Sequence, residues 1–185
     1  MHFGIDAGHG LGNRTAGTYD PGAVALDSGG NQCCEADITL IYAWVLADEL
    51  KSLGLGSSLI REHTQHEVKL LSRVSRAVNL GCDAIISIHT NAAESPTASG
   101  CEVWYGDEKK DRPLATAILT GIVSTDLGIR NRGLKKNIGL AVLKTTMPAA
   151  LLEIGFISNS QERLVISNIT NVRKICRSIA NQIKY

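Results

Sequence analysis

Asp83-Ala-Ile-Ile-Ser-Ile-His89-Thr-Asn91 is the stretch whose reading decides the fold. From Ala84 to Ile88 the run is almost continuously apolar and rich in isoleucine. A strand with one face in water would alternate, so this one is expected to be covered on both faces, as in the middle of a parallel sheet. The run lacks a helical period and is too short for a typical buried helix. At its carboxyl end it gives way at once to His89, Thr90 and Asn91. Ligands bind at the carboxyl ends of strands in open α/β sheets, so His89 is a candidate metal ligand or acid–base group. Strand-end histidines are often plain surface residues, and its weight rests on which other groups reach the same edge.

Working outward, 185 residues are enough for one domain with a single sizeable core, taken as residues 1–185. Aromatic residues make up only 4%, which leaves the core to Ile, Leu, Val and Ala. Lys plus Arg number 19 against 18 Asp plus Glu, a net charge of +1. That balance gives no electrostatic footprint for nucleic acid and no strong attraction to anionic membranes. No apolar run approaches the ~20 residues of a membrane span, so membrane insertion is not expected. Met1 to Asp6 has neither a basic start nor a long apolar segment of the secretory kind. The chain as it stands is expected to be cytoplasmic when synthesised; it would be secreted or periplasmic if a leader had been removed. Five cysteines, an odd number without a Cys-x-x-Cys spacing, argue against a disulfide framework or thiolate zinc site. Adjacent Cys33 and Cys34 could bind metal or react, but free thiols in a reducing compartment are the expectation.

In chain order, His2–Asp6 reads as a first strand, followed by Ala7-Gly8-His9-Gly10-Leu11-Gly12. Glycines on both sides of His9 permit a tight turn that presents the imidazole. The spacing does not fit a dinucleotide fingerprint or a Walker loop. Residues 13–34 read as a long loop with a turn at Asp20-Pro21-Gly22, and loops of this length are often functional. A helix opens at Glu35, where the dipole favours a carboxylate, and its apolar spacing runs from Ile38 to Leu53 before Gly54. Ser57–Arg61 is predicted as a strand, and Glu67–Leu80 as a helix with Leu70, Leu71, Val74, Ala77 and Val78 inward. Further predicted elements are a strand over Cys101–Tyr105, a helix over Pro113–Leu127 and a short strand over Leu140–Leu143. The segment Arg130–Lys136 reads as a solvated loop or the rim of a site for an anionic or polar substrate. An apolar run from Ala149 to Leu152 leads into Glu153, and a final helix carries Val172, Ile175, Cys176, Ile179 and Ile183. Alternating strands and helices predict an α/β sandwich, helices on both faces of a mainly parallel, roughly six-stranded sheet. An antiparallel member is open for Cys101–Tyr105 or Leu140–Leu143.

His9, His89 and Glu153 then sit where chains leave buried strands, and Glu35 opens the helix after the first of them. Two neutral imidazoles and one carboxylate are a set that holds a catalytic zinc, and a further carboxylate is available as general base. His63 and His66 are rival ligands in a charged segment without an apolar scaffold, and read as surface residues.

Several motifs now carry a resemblance. They are Ile5-Asp6-Ala7-Gly8-His9-Gly10, Asp20-Pro21-Gly22-Ala23, Glu35-Ala36-Asp37 and Ser87-Ile88-His89-Thr90-Asn91-Ala92. Later come Arg132-Gly133-Leu134-Lys135, Val142-Leu143, and Met147-Pro148-Ala149 running into Leu152-Glu153-Ile154-Gly155-Phe156-Ile157-Ser158-Asn159. In order and spacing the chain resembles the zinc-dependent N-acetylmuramoyl-L-alanine amidases of the amidase-3 type over nearly its whole length. The resemblance implies one Zn2+ per chain with His9, Glu35 and His89 as ligands, Glu153 as the catalytic carboxylate, and peptidoglycan as substrate for a monomer. Ala7 stands where the family usually has proline, Thr90 where alanine is common, and Arg61-Glu62-His63-Thr64 where Arg-x-x-Asp is often found. Regulated periplasmic members carry an inserted autoinhibitory helix, for which the stretch between His89 and Glu153 leaves no room. With no separate wall-binding domain in the sequence, a phage or prophage lysis enzyme (an endolysin) is suggested, with a leaderless bacterial amidase as the alternative. A zinc peptidase cutting within the stem peptide and a non-catalytic wall-binding protein are the rival functions.

Overall fold

A computed structural model of the chain describes residues 1–183. Six strands form the main sheet: β1 (His2–Ala7), β2 (Gly56–Leu59), β3 (Ala84–Asn91), β4 (Cys101–Tyr105), β5 (Asn131–Lys136) and β6 (Ala149–Phe156). Their order is β2-β1-β3-β6-β4-β5. Neighbours are parallel except at β6–β4, where β4 runs antiparallel to β6 and carries β5 with it. The isoleucine run is therefore the third strand in from one edge, flanked by β1 and β6. Its residues divide between two cores, which is why it does not alternate: Ile86 and Ile88 belong to the larger, Ile85 to the smaller.

The larger core lies under α1 (Glu35–Ser52), α3 (Arg112–Val123) and α5 (Ile169–Gln182), with Tyr42, Leu46, Ile118, Ile122, Ile175 and Ile179 fully buried. The smaller lies under the short α2 (Arg73–Asn79) and two 3-10 turns, Leu70–Ser72 and Ala141–Leu143. A short helix, α4 (Ser160–Ser167), links β6 to α5, and Asn159 and Asn168 cap the two helices through their side chains. One sheet face thus carries a thick helical layer and the other a thin one. No helix among the described residues is long and apolar enough to cross a membrane.

Four expectations need correction. The segment 130–136 is not a loop, because Asn131–Lys136 forms β5 at the sheet edge. Its charges suit an edge strand, and Gly133, at φ 89°, sits where the register with β4 slips. Leu140–Leu143 is not a strand; the Leu143 and Lys144 N–H groups donate back to Leu140 and Ala141, closing a 3-10 turn. The helix expected over Glu67–Leu80 shrinks to α2, and Leu71 is 86% exposed, with Leu70 and Val78 also exposed. Its inward positions are Arg73 and Ala77, one turn apart, so a buried arginine holds the place that the apolar pattern gives to leucine. Finally, the loop over 13–34 contains two small antiparallel pairs, Gly10–Leu11 with Tyr19–Asp20 and Val24–Leu26 with Gln32–Cys34.

Candidate active site

His9 follows β1 in a turn joined to β3 by the Gly8 N–H, which donates to the Ile88 carbonyl at 3.0 Å. Its φ is 60°, a left-handed conformation uncommon for a residue with a Cβ. The turn must pass close to the other site groups. A Cβ on Gly8 would lie 2.3 Å from Cε1 of His89, and one on Gly22, itself at φ 68°, 2.5 Å from Oε2 of Glu35. Glycine is required at both places for the imidazoles and the carboxylate to converge.

Glu35 is the first residue of α1 and is buried. Its Oε2 accepts from the Ala23 N–H at 2.9 Å and its Oε1 from the Thr90 N–H at 3.0 Å. The two imidazoles approach the same carboxylate, His9 through Nε2 at 3.2 Å and His89 through Nδ1 at 2.9 Å. The rings meet edge to face with centroids 5.0 Å apart. One donor atom from each of His9, Glu35 and His89 falls within 4.8 Å of the others, a set of spacing and type fit to hold a metal ion.

Asp20 lies behind His9. It accepts from Nδ1 at 3.1 Å, from the Asn13 side chain at 2.7 Å and from the Gly22 N–H at 3.0 Å. A carboxylate behind an imidazole fixes the ring, here with Nδ1 turned to Asp20 and Nε2 to Glu35. The electrostatics follow. Burial raises Asp20, but the hydrogen bonds from Asn13, Gly22 and His9 outweigh it and hold the carboxyl down to about 2. Burial likewise raises Glu35, yet the two histidines hold it well below the usual carboxylate range. For His9 burial works downward and is overcome by Glu35 and Asp20, so its pKa is raised.

Glu153 belongs to β6, its Cα paired with His89 on one side and Glu102 on the other. The register of β6 against β3 shifts just beyond it, between Glu153 and Phe156, a bulge of the kind that re-aims a side chain. Its Oε2 is buried without a hydrogen-bond partner among the described residues. Burial first, then the negative charges of Glu35 and Glu102, push its pKa up to about 8. An ion pair with the basic segment is not what holds it, since Arg132 binds Glu102 at 2.9 Å and stacks over Phe156 at 4.9 Å. Two hollows meet at His89, Leu140 and Leu151. One, about 490 Å3, reaches His9, Arg14 and Leu71; the other, about 330 Å3, reaches Glu153, Glu102 and Trp104.

A family model described as N-acetylmuramoyl-L-alanine amidase matches residues 4–185. The chain belongs to the N-acetylmuramoyl-L-alanine amidase family. It is 32% identical over 182 residues to the uncharacterized protein YqiI of Bacillus subtilis (strain 168), covering 97% of this chain and 81% of that one. It is 30% identical to the N-acetylmuramoyl-L-alanine amidase LytC of the same organism, over 77% of this chain but only 29% of LytC. The catalytic domain of CwlV, an amidase from Bacillus (Paenibacillus) polymyxa var. colistinus, superposes with a TM-score of 0.84 at 29% identity. That match covers 99% of this chain and 96% of the other.

Within this amidase fold, His9, Glu35 and His89 come together and Glu153 lines the adjoining hollow. His63 and His66 do not join them. They lie beside each other, 5.5 Å between centroids; His63 is exposed and Nδ1 of His66 accepts from the Glu62 N–H. Sequence reasoning missed the support of Asp20, noted as a turn residue and within a family motif but given no role at the site. It also missed the buried Asp6, Arg61, Arg73 and Ser87 beneath the His9 turn. A carboxylate placed 11 residues after His9, in the Asp20-Pro21-Gly22 turn, was the one available signal.

Proposed function

We propose that this chain hydrolyses the amide between the lactyl group of N-acetylmuramic acid and the L-alanine of the peptidoglycan stem peptide. In this reading His9, Glu35 and His89 hold one Zn2+, Glu153 moves the proton, and residues 1–185 act as one catalytic domain. The carrying observation is that a buried carboxylate oxygen of Glu153, lacking any partner among the described residues, lies beside a two-histidine, one-carboxylate set in a chain of this family. All four groups come from one chain, so the site as proposed needs no second copy, and the protein is taken as a monomer.

Zn2+ bound there would supply Lewis-acid polarisation of the scissile carbonyl and a lowered pKa for the attacking water. The protein supplies the rest. Asp20 keeps the His9 ring oriented, and Glu35, fixed by two main-chain N–H groups, keeps its carboxylate between the imidazoles. Glu153 accepts the proton of the attacking water and returns it to the nitrogen of the departing L-alanine. A carboxyl that prefers to be protonated in the metal-free site is a basic carboxylate, suited to that transfer.

Mass spectrometry of purified peptidoglycan after digestion with zinc-loaded protein tests the reading. Intact muramyl residues with a free lactyl carboxylate, paired with peptides that begin at L-alanine with a new amine, are expected. New ends only within the stem peptide would make the protein a peptidase, and binding without any new ends a wall-binding protein.

A further inference from the structure

Two arginines are buried beneath the site, and the proposed chemistry uses neither. Arg61 is 0% and Arg73 2% exposed, the largest side chains fully enclosed among the described residues. Among the described residues one carboxylate, Asp6, is paired with either. Half of their other hydrogen bonds go to main-chain carbonyls of the His9 turn, and the rest to Ala36, Thr39, Asn13 and Val68. Arg61 donates from Nε to Ala7 at 3.2 Å and from Nη2 to Gly8 at 3.1 Å and Ala36 at 2.6 Å. Arg73 donates from Nη1 to Ala7 at 2.7 Å and from Nη2 to His9 at 2.6 Å.

We propose that Arg61 and Arg73 are positioning residues for the metal centre, two guanidinium forks that bind the three ligand-bearing elements to one turn. Arg61 spans from the turn to Ala36, the residue after Glu35. Arg73 spans from the turn to Asp6, whose other oxygen accepts from Ser87 at 2.8 Å, two residues before His89. Arg73 also donates to Asn13, whose amide in turn donates to the Asp20 carboxylate behind His9. A buried guanidinium thus bonds His9 directly, the neighbour of Glu35 directly, and through Asp6 the residue two before His89.

The energetics favour this over a role in general stability. Burying cations with a single counter-charge is costly, and well-packed apolar residues often serve a core better. Nη1 of Arg61 finds no partner among the described residues, and the two like charges oppose each other. What the pair does hold is a left-handed His9 in an irregular turn, where a ligand set by the loop alone would be imprecise. Planar forks suit this task because each can grip two or more carbonyls, which an ammonium cannot match in fixed geometry.

The proposal rests on the metal-site reading, and its test separates the two. The Zn2+ dissociation constant of the full chain is measured by chelator competition for wild type, Arg61→Lys and Arg73→Lys. The Co2+ absorption spectrum and the melting temperature of the metal-free protein are recorded alongside. Expected are folded variants with Zn2+ affinity weakened roughly 10–100-fold, as for other residues that orient ligands, and an altered Co2+ spectrum. Unchanged affinity and spectrum in folded variants, even with a lowered melting temperature, would overturn the positioning role. If either variant fails to fold, Ser87→Ala and Asn13→Ala each cut one link. A threefold or greater weakening, about 0.7 kcal/mol, is then expected, and unchanged affinity in both overturns the proposal. A wild type that binds no Zn2+ overturns the site reading and this proposal with it.

Discussion

Burial, with the charges of Glu35 and Glu102 behind it, raises the Glu153 carboxyl from 4.5 to about 8 in the metal-free protein. Between those values the folded chain holds a proton that the unfolded chain has released. The contribution of Glu153 to stability is therefore fully present below about pH 4.5 and lost as pH rises through about 8. Asp20 acts in the opposite sense: its stabilisation is present above 3.8 and lost as pH falls toward about 2. Urea midpoints of metal-free wild type should fall across the Glu153 window, and those of Glu153→Gln should fall less, keeping only the part that the raised His9 contributes above 6.5; equal slopes would contradict the burial of a raised carboxyl. With metal restored, the same variant should keep its Zn2+ and fold but lose roughly a hundredfold or more in turnover, the scale of a lost general base. Alanine at His63 or His66 should leave metal content unchanged, as checked by elemental analysis. The four groups at strand and helix ends were legible because polar side chains interrupt apolar runs at His89 and Glu153 and glycines bracket His9. Arg61 and Arg73 were not, since they act largely through hydrogen bonds to distant main chain, nor was Asp20, which acts through the His9 and Asn13 side chains; neither kind of contact leaves a periodic trace.

At the level of elements, apolar pattern located the strands that the cores cover and failed where another force sets the structure. β3 and β6 are buried on both faces and read directly. β5 reads as a loop because its residues are charged, yet an edge position pairs it on one side only and tolerates those charges. α2 was overextended because Leu70, Leu71 and Val78 mimic an apolar face, while the inward side is anchored by Arg73. Close packing of α3 on α5 has no pattern either, but a Cβ on Gly121 would lie 2.6 Å from Cα of Ile179. Gly121→Ala gains about 1 kcal/mol of helix propensity and forces the helices apart, at a cost of about 1–3 kcal/mol. A melting temperature lowered by a few degrees is expected from calorimetry, with the site's metal affinity kept. A clear rise would contradict the contact.

For the molecule as a whole, the unequal layers explain where the chemistry lies. Three helices seal one face of the sheet, whereas α2 and two short turns leave the other with the two hollows that meet at His89. The three proposed ligands join β1, α1 and β3, so an ion bound among them would stabilise the folded chain by mass action. At roughly 1,000 times its dissociation constant this is about 4 kcal/mol, or on the order of 10 °C for a chain of this size. Chelation should lower the melting temperature accordingly, and readdition of Zn2+ should restore it. The central claim, that hydrolysis depends on one Zn2+ at His9, Glu35 and His89, is tested most directly by titrating verified metal-free protein with Zn2+ while measuring amines released from peptidoglycan. Release should be negligible without metal and rise linearly to a plateau at one Zn2+ per chain; full activity in the metal-free protein would contradict the account.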